Sequence, residues 1–212
     1  MPAIGQAKLG EYKMKSNICV VKKGGLGLEN ILTEVEKVTA YNSLQDQEAL
    51  RLRLLAEELV GMLPELVKNF EGCFWLQNNE NQYELHVELS VGSLSKEKKQ
   101  QLIEISASKK NAAATGFMGK IRDVAQNMLL YSDDPTQDGF FVGEYLCEYG
   151  MADFHYTYAW SLENYTQQQN RAEKKSEPAW DQLEKSIVAK LADDVIVGVR
   201  GKSVEIIIKK SF

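Results

Sequence analysis

Two adjacent glutamates, Glu57 and Glu58, lie at the centre of the apolar segment LRLRLLAEELVGML, residues 50–63. A carboxylate held in place by a helix can orient a water molecule or accept a proton from it. Residues four apart share one face of a helix, so Gly61 and Met62 stand where a second functional group would be expected. Neither side chain offers an oxygen atom. Two interpretations of this segment are open: a helix that presents functional carboxylates without a second ligand beside them, or only a helix that packs on a sheet.

The segment that positions these glutamates is predicted to be one long helix over residues 47–69. Its apolar residues fall on one broad face, because successive residues are rotated by about 100°. That face is formed by Leu52, Leu55, Leu59, Met62, Leu63, Leu66 and Val67. The other face carries Arg51, Arg53, Glu57, Glu58, Gly61, Glu65 and Lys68. Pro64 lacks a backbone N–H, so we expect it to kink or restart the helix.

Other periodic segments predict the elements around this helix. A strand over 15–23 and a helix over 29–42 precede it, and a hairpin with strands at 73–77 and 83–91 follows. The second hairpin strand alternates strictly between apolar and polar residues, which is typical of a strand with one wet face. His86 lies on that polar face, where we expect a solvated or cross-strand-paired side chain. Further helices are predicted at 96–108, 117–131 and 179–194, with a last hairpin at 195–210.

Together these elements predict an α+β fold in a single domain over residues 1–212. We expect a two-layer α/β sandwich, with helices packed on one face of a mixed, mainly antiparallel sheet. No repeated βαβ unit occurs in the predicted order, which argues against a Rossmann sheet. An aromatic-rich insert lies around residues 132–178, and no structure can be assigned securely to 140–165. The polar run 166–178 is predicted to be exposed or mobile.

The order of elements resembles the GHKL, or histidine-kinase-like, ATPase superfamily. The likeness is greatest to anti-sigma-factor kinases and to the ATP-binding domains of sensor histidine kinases, with ICVV as the first strand and LRLRLLAEELVGML as the N-box helix. The resemblance implies a Bergerat-like fold and ATP as cofactor. It also implies that Glu57 or Glu58 orients or deprotonates water, while an asparagine four residues later binds Mg²⁺. Gly61 or Met62 replaces that asparagine, so the oxygen ligand that Mg²⁺ requires is missing.

Two further family elements are expected after the hairpin. The Asp-x-Gly loop that contacts adenine should follow strand 83–91, where SVGSLS supplies Gly92 but no aspartate. The segment KKNAAATGFMGK at 109–120 stands in the place of the lid that wraps the phosphates. The resemblance implies that the nucleotide contacts Gly61, Gly92, Lys109, Lys110, Gly116, Gly119 and Lys120. The alternative interpretation of 109–120 is a flexible linker with a solvated basic edge.

A second glycine-rich segment, GGLGLENI at 24–31, looks like the glycine-rich box of histidine kinases. It precedes the N-box helix, whereas the family places that box after it. The segment also lacks the third glycine of GxGxxG and the Lys-Ser/Thr of a P-loop. We therefore interpret it as a turn between a strand and a helix.

The bulk properties exclude several function classes. The net charge is −5, with 25 basic and 30 acidic residues, which argues against a general nucleic-acid binder. The sequence has no apolar run long enough to span a bilayer, and its first residues lack the apolar core of a signal peptide, so a cytoplasmic protein is expected. The three cysteines, Cys19, Cys73 and Cys147, form no ligand cluster with His86 or His155. We expect free thiols and no metal site.

Two functions fit these observations. The first is a regulatory or partner-binding module whose nucleotide chemistry is lost or altered, with another protein or a second copy of the chain as partner. The second is an ATP-binding, anti-sigma-factor-like serine kinase or ATPase with non-standard metal ligands. The missing asparagine and aspartate favour the first, because a phosphate site without its metal ligand is costly to fill.

Overall fold

The computed structural model describes residues 14–22, 27–66, 70–91, 158–171, 186–200 and 203–212, together with Ile121 and Ala125. The elements in these ranges come in runs of two or three strands separated by pairs of helices. They are β1 (Met14–Lys15), β2 (Cys19–Lys22), α1 (Leu28–Tyr41), α2 (Asp46–Leu66), β3 (Phe70–Asn79), β4 (Gln82–Val91), β5 (Tyr158–Ser161), α3 (Leu162–Arg171), α4 (Ile187–Leu191), β6 (Asp194–Arg200) and β7 (Ser203–Ser211).

The strands form one seven-stranded sheet. Its order is β1-β3-β4-β7-β6-β5, and β2 also pairs with β3. Every pairing in the described residues is antiparallel. The predicted α+β class is therefore confirmed. The two long hairpins, β3–β4 and β6–β7, meet where β4 pairs with β7, so the C-terminal hairpin completes the sheet that the earlier hairpin begins.

The core lies between this sheet and helices α1 and α2. The predicted apolar face of α2 is buried: Leu52, Leu55, Leu59 and Leu63 have no exposed surface. Burial of one such side chain stabilises the fold by about 1.5–3 kcal/mol. The strands contribute alternate residues to the same core, including Phe74, Leu76, Leu85, Val87, Leu89, Val197, Ile206 and Ile208. Helix α2 continues through Pro64 and ends at Leu66, and the side chains of Leu66 and Val67 lie outside the described structure.

One row on the opposite face of the sheet is buried rather than wet. Residues directly across from one another in a sheet share a face, so His86, Ile207 and Ile196 form one row across β4, β7 and β6. Their exposed fractions are 5%, 3% and 4%. The wet face predicted for β4 is present at Glu88 and Ser90, which are exposed, but not at His86. Alternation correctly separated the two faces, but it could not show that His86 on the second face is buried.

The C-terminal segments differ in detail from the predicted ones. The start of the polar run from residue 166, which was predicted to be exposed or mobile, belongs to α3, which continues to Arg171. The predicted helix 179–194 is too long, because β6 begins at Asp194. In α4 the buried residue is Val188, whereas the adjacent Ile187 is 43% exposed. The predicted helix 96–108 lies outside the described residues, as does most of 117–131.

Candidate functional site

Glu57 and Glu58 lie on the outer surface of α2, as their place on the polar face predicts. Glu58 is exposed and Glu57 is half-buried. The Arg53 Nε atom donates a hydrogen bond to Glu57 Oε1 at 3.1 Å, one helical turn away. Arg53 also donates through Nη1 to Glu36 Oε1 on α1, at 2.5 Å. The Glu57 carboxylate is therefore held in an ion-pair bridge that joins the two helices.

Gly61 lies on the same face, one turn beyond Glu57. It is exposed, and a Cβ atom built on it would have no neighbouring atom within 4 Å. A glycine inside a helix costs about 0.5–1 kcal/mol relative to alanine, because it loses more backbone entropy on folding. No described atom packs closely enough to require a glycine here. The position expected to hold a metal-binding asparagine is thus bare, although it has room for a side chain.

The glycine-rich segment 24–31 has a structural role at the residue that can be described. Gly27 precedes α1 with a φ of +107°, a conformation that favours glycine. A Cβ atom at this position would lie 2.3 Å from the Val20 carbonyl oxygen. Gly27 therefore lets the start of α1 lie close to the backbone of β2. This agrees with the interpretation of the segment as a turn, while Gly24 and Gly25 lie outside the described residues.

Cys19 and Cys73 are free thiols on adjacent strands. Cys19 is buried in the core, and burial and the nearby charge of Glu34 raise the pKa of its thiol. A raised pKa keeps the thiol protonated, so Cys19 is a poor nucleophile. Cys147 lies outside the described structure. In the ranges described, no group of three His, Cys, Asp or Glu side chains has a geometry that could hold a metal ion.

A buried polar cluster on the second face of the sheet was not predicted as a unit. His86 Nδ1 lies 2.8 Å from Glu205 Oε1 on β7, and His86 Nε2 lies 3.3 Å from Glu84 Oε2. The imidazole stacks on the Trp75 indole, with ring centroids 4.8 Å apart and an interplanar angle of 11°. Alternation placed Glu84 and His86 on one face, and cross-strand pairing of His86 was one of the expected outcomes. The contribution of Glu205 gave no local signal, because it is 119 residues away along the chain.

The remaining residues implied by the family resemblance cannot be placed. Gly92, Lys109, Lys110, Gly116, Gly119 and Lys120 lie outside the described residues. Whether these residues approach Glu57 is therefore still a prediction. The described part of the site contains three features. They are the half-buried Glu57 carboxylate in its ion pair with Arg53, the exposed carboxylate of Glu58, and the position at Gly61, which has no side chain.

Comparison with known proteins adds no family assignment. No protein-family model matches the sequence, and no curated protein matches it. Among the described helices, none combines the length and the apolar character needed to cross a membrane. The resemblance to histidine-kinase-like ATPases therefore rests on the order of elements and on the segment 50–63 alone.

Proposed function

We propose that this chain is a divergent protein of the histidine-kinase-like ATPase class that acts as a regulatory, partner-binding module. The order of its described elements supports this proposal. A strand and a helix precede the glutamate-bearing helix α2, a hairpin follows it, and a terminal hairpin pairs into the same sheet. This is the order on which the family resemblance was based.

The observation that carries the proposal is the open, bare position at Gly61. Mg²⁺ binds proteins through oxygen ligands, and α2 offers none at the position where the resemblance requires one. The bridge from Glu57 to Arg53 and Glu36 adds to this argument, since it occupies the carboxylate that would orient water. Glycine allows another backbone to approach a helix closely. The outer face of α2 around Gly61 is therefore better suited to contact with a partner than to Mg-ATP hydrolysis.

A matched pair of bulky variants tests this function. Gly61→Trp places a large side chain on the proposed contact surface, whereas Asn30→Trp places the same side chain at an exposed position of α1. We expect a partner purified with the wild-type chain in a 1:1 complex to bind Asn30→Trp normally and Gly61→Trp at least about tenfold more weakly, a loss of about 1.4 kcal/mol. Equal binding of the partner by both variants would contradict the proposal.

The alternative function, an ATP-dependent kinase or ATPase with non-standard ligands, makes a different prediction. A ligand that binds the native state alone raises the melting temperature of the protein. A rise in the melting temperature with Mg-ATP, together with release of phosphate or phosphorylation of the partner, would favour the kinase or ATPase. The partner-binding function predicts neither result.

A further inference from the structure

His86 is held at both ring nitrogens by carboxylates. Its Nδ1 atom lies 2.8 Å from Glu205 Oε1, and its Nε2 atom lies 3.3 Å from Glu84 Oε2. A neutral imidazole has one N–H donor and one nitrogen that only accepts. An ionised carboxylate oxygen also only accepts, so one of these contacts would be unfavourable with a neutral ring. Two hydrogen bonds to carboxylates are possible when the ring carries both protons, as the imidazolium.

The surroundings of His86 favour a strong interaction. The residue is only 5% exposed, so water screens these charges weakly. From β3, the neutral Trp75 stacks on the ring and Gln77 Nε2 donates to Glu84 Oε2 at 3.1 Å. The charged groups described around the ring are Glu84 on β4, Glu205 and Lys209 on β7, and Lys15 on β1. Lys209 Nζ lies 3.5 Å from Glu84 Oε1, and Lys15 Nζ lies 4.7 Å from the centroid of the Trp75 ring.

The position of this cluster makes the protonation state important for the fold. His86 and Glu205 are 119 residues apart along the chain and join β4 to β7. These strands belong to the two long hairpins, β3–β4 and β6–β7. A change at His86 therefore acts on the junction through which the two hairpins form a single sheet.

We propose that His86 is a proton-dependent clamp between the two hairpins: its imidazolium holds β4 against β7 through Glu84 and Glu205, and loss of the proton loosens the junction. In the neutral ring, one nitrogen lone pair faces a carboxylate oxygen without a hydrogen between them. That contact is repulsive, and both groups are too buried to be well solvated. The clamp would make the stability of the sheet respond to pH.

The direction of this response follows from the pKa of His86. Burial lowers the pKa, but the hydrogen bonds to Glu205 and Glu84 and their negative charges raise it by more, so the folded-state pKa lies above the usual 6.5. A raised pKa in the folded state means that the native protein binds the proton more tightly than the unfolded chain. The added stability is complete below the unfolded-state pKa of about 6.5 and is lost as pH rises through the folded-state pKa.

Nuclear magnetic resonance can test the clamp at a single residue. The sequence has only two histidines, His86 and His155, so the His155→Gln variant contains one imidazole. We expect its ring proton signals to titrate with a midpoint above 6.5. Adding Glu205→Gln should lower that midpoint by about one unit or more, because a neighbouring opposite charge shifts a pKa by about 1–3 units. A midpoint at or below 6.5, or one that Glu205→Gln leaves unchanged, would overturn the proposal.

Melting temperatures measured from about pH 6 to about pH 9 test the effect on the sheet. We expect the melting temperature of the His155→Gln variant to fall over this range, and the fall to be smaller in the Glu205→Gln/His155→Gln protein. Trp75 supplies a local signal in both proteins, because a stacked imidazolium quenches indole fluorescence. Its emission should rise at the same pH as the ring titration, and Trp75→Phe should remove that rise. An identical pH dependence of the melting temperature with and without Glu205→Gln would contradict the clamp.

Discussion

Replacing Gly61 with alanine should stabilise the protein. Gly61 lies within α2, its backbone is helical, and a methyl group there would meet no atom within 4 Å. Alanine therefore gains helix propensity without a steric cost, and we expect the free energy of unfolding to rise by about 0.5–1 kcal/mol. For a chain of 212 residues, each 1 kcal/mol shifts the melting temperature by about 2–4 °C. Urea denaturation and scanning calorimetry measure both quantities directly.

The matched control for this substitution is Gly27→Ala, which makes the same chemical change where the structure forbids it. Gly27 has a φ of +107°, and a Cβ atom would lie 2.3 Å from the Val20 carbonyl oxygen. We expect a loss of more than about 1 kcal/mol, because the left-handed conformation alone costs a non-glycine residue about 1–2 kcal/mol. If Gly61→Ala is neutral or destabilising, an unseen contact explains the glycine, and the reasoning about an open helix face is wrong. Tolerance of Gly27→Ala would equally refute the turn assignment.

Three other experiments test packing, capping and the ion-pair bridge. Leu59→Ala on the buried face of α2 should cost about 2–5 kcal/mol of unfolding free energy, whereas Leu50→Ala, at an exposed position of the same helix, should change it by less than about 0.5 kcal/mol. Asp194→Ala should cost about 1–2 kcal/mol in urea denaturation, because its carboxylate accepts the backbone N–H of the second residue of α3. A double-mutant cycle of Arg53→Ala and Glu57→Ala should give a coupling of about 0.3–0.5 kcal/mol that weakens with salt, and a coupling insensitive to salt would contradict a surface ion pair.

The sequence predicted those features whose signal is local. The spacing of Leu52, Leu55, Leu59 and Leu63 identified the buried face of α2, because a helix repeats its faces every 3.6 residues. Strict alternation identified β4, and the last hairpin, predicted at 195–210, agrees with β6 at Asp194–Arg200 and β7 at Ser203–Ser211. The exposed side of α2, with Glu58 and Gly61, followed from the same periodicity.

Other features depend on contacts that no local pattern encodes. Glu205 meets His86 because β4 and β7 are neighbours in the sheet, and that pairing brings together residues far apart in the chain. The Arg53 bridge to Glu36 likewise requires α1 and α2 to lie side by side. Val188 rather than Ile187 is buried because the orientation of α4 is set by what it packs against, and two adjacent apolar residues give no indication of which faces inward.

The burial of His86 on the second sheet face has the same origin. A polar residue in an alternating strand is normally taken to face water. At His86, hydrogen bonds to Glu84 and Glu205 compensate for the loss of hydration, so the polar residue is stable inside the protein. Sequence alone could show which face His86 occupies but not how deeply it is buried.

The measurement that tests the central claim most directly is a thermal-shift titration of the wild-type chain with Mg-ATP at millimolar concentration. Ligand at one hundred times its dissociation constant would stabilise the native state by about 2.7 kcal/mol, which is readily detected as a higher melting temperature. Because α2 has no oxygen ligand at Gly61, we expect no shift with Mg-ATP beyond that seen with Mg²⁺ alone. A rise in the melting temperature with Mg-ATP that saturates with nucleotide and exceeds the effect of Mg²⁺ alone would contradict the proposed loss of nucleotide chemistry.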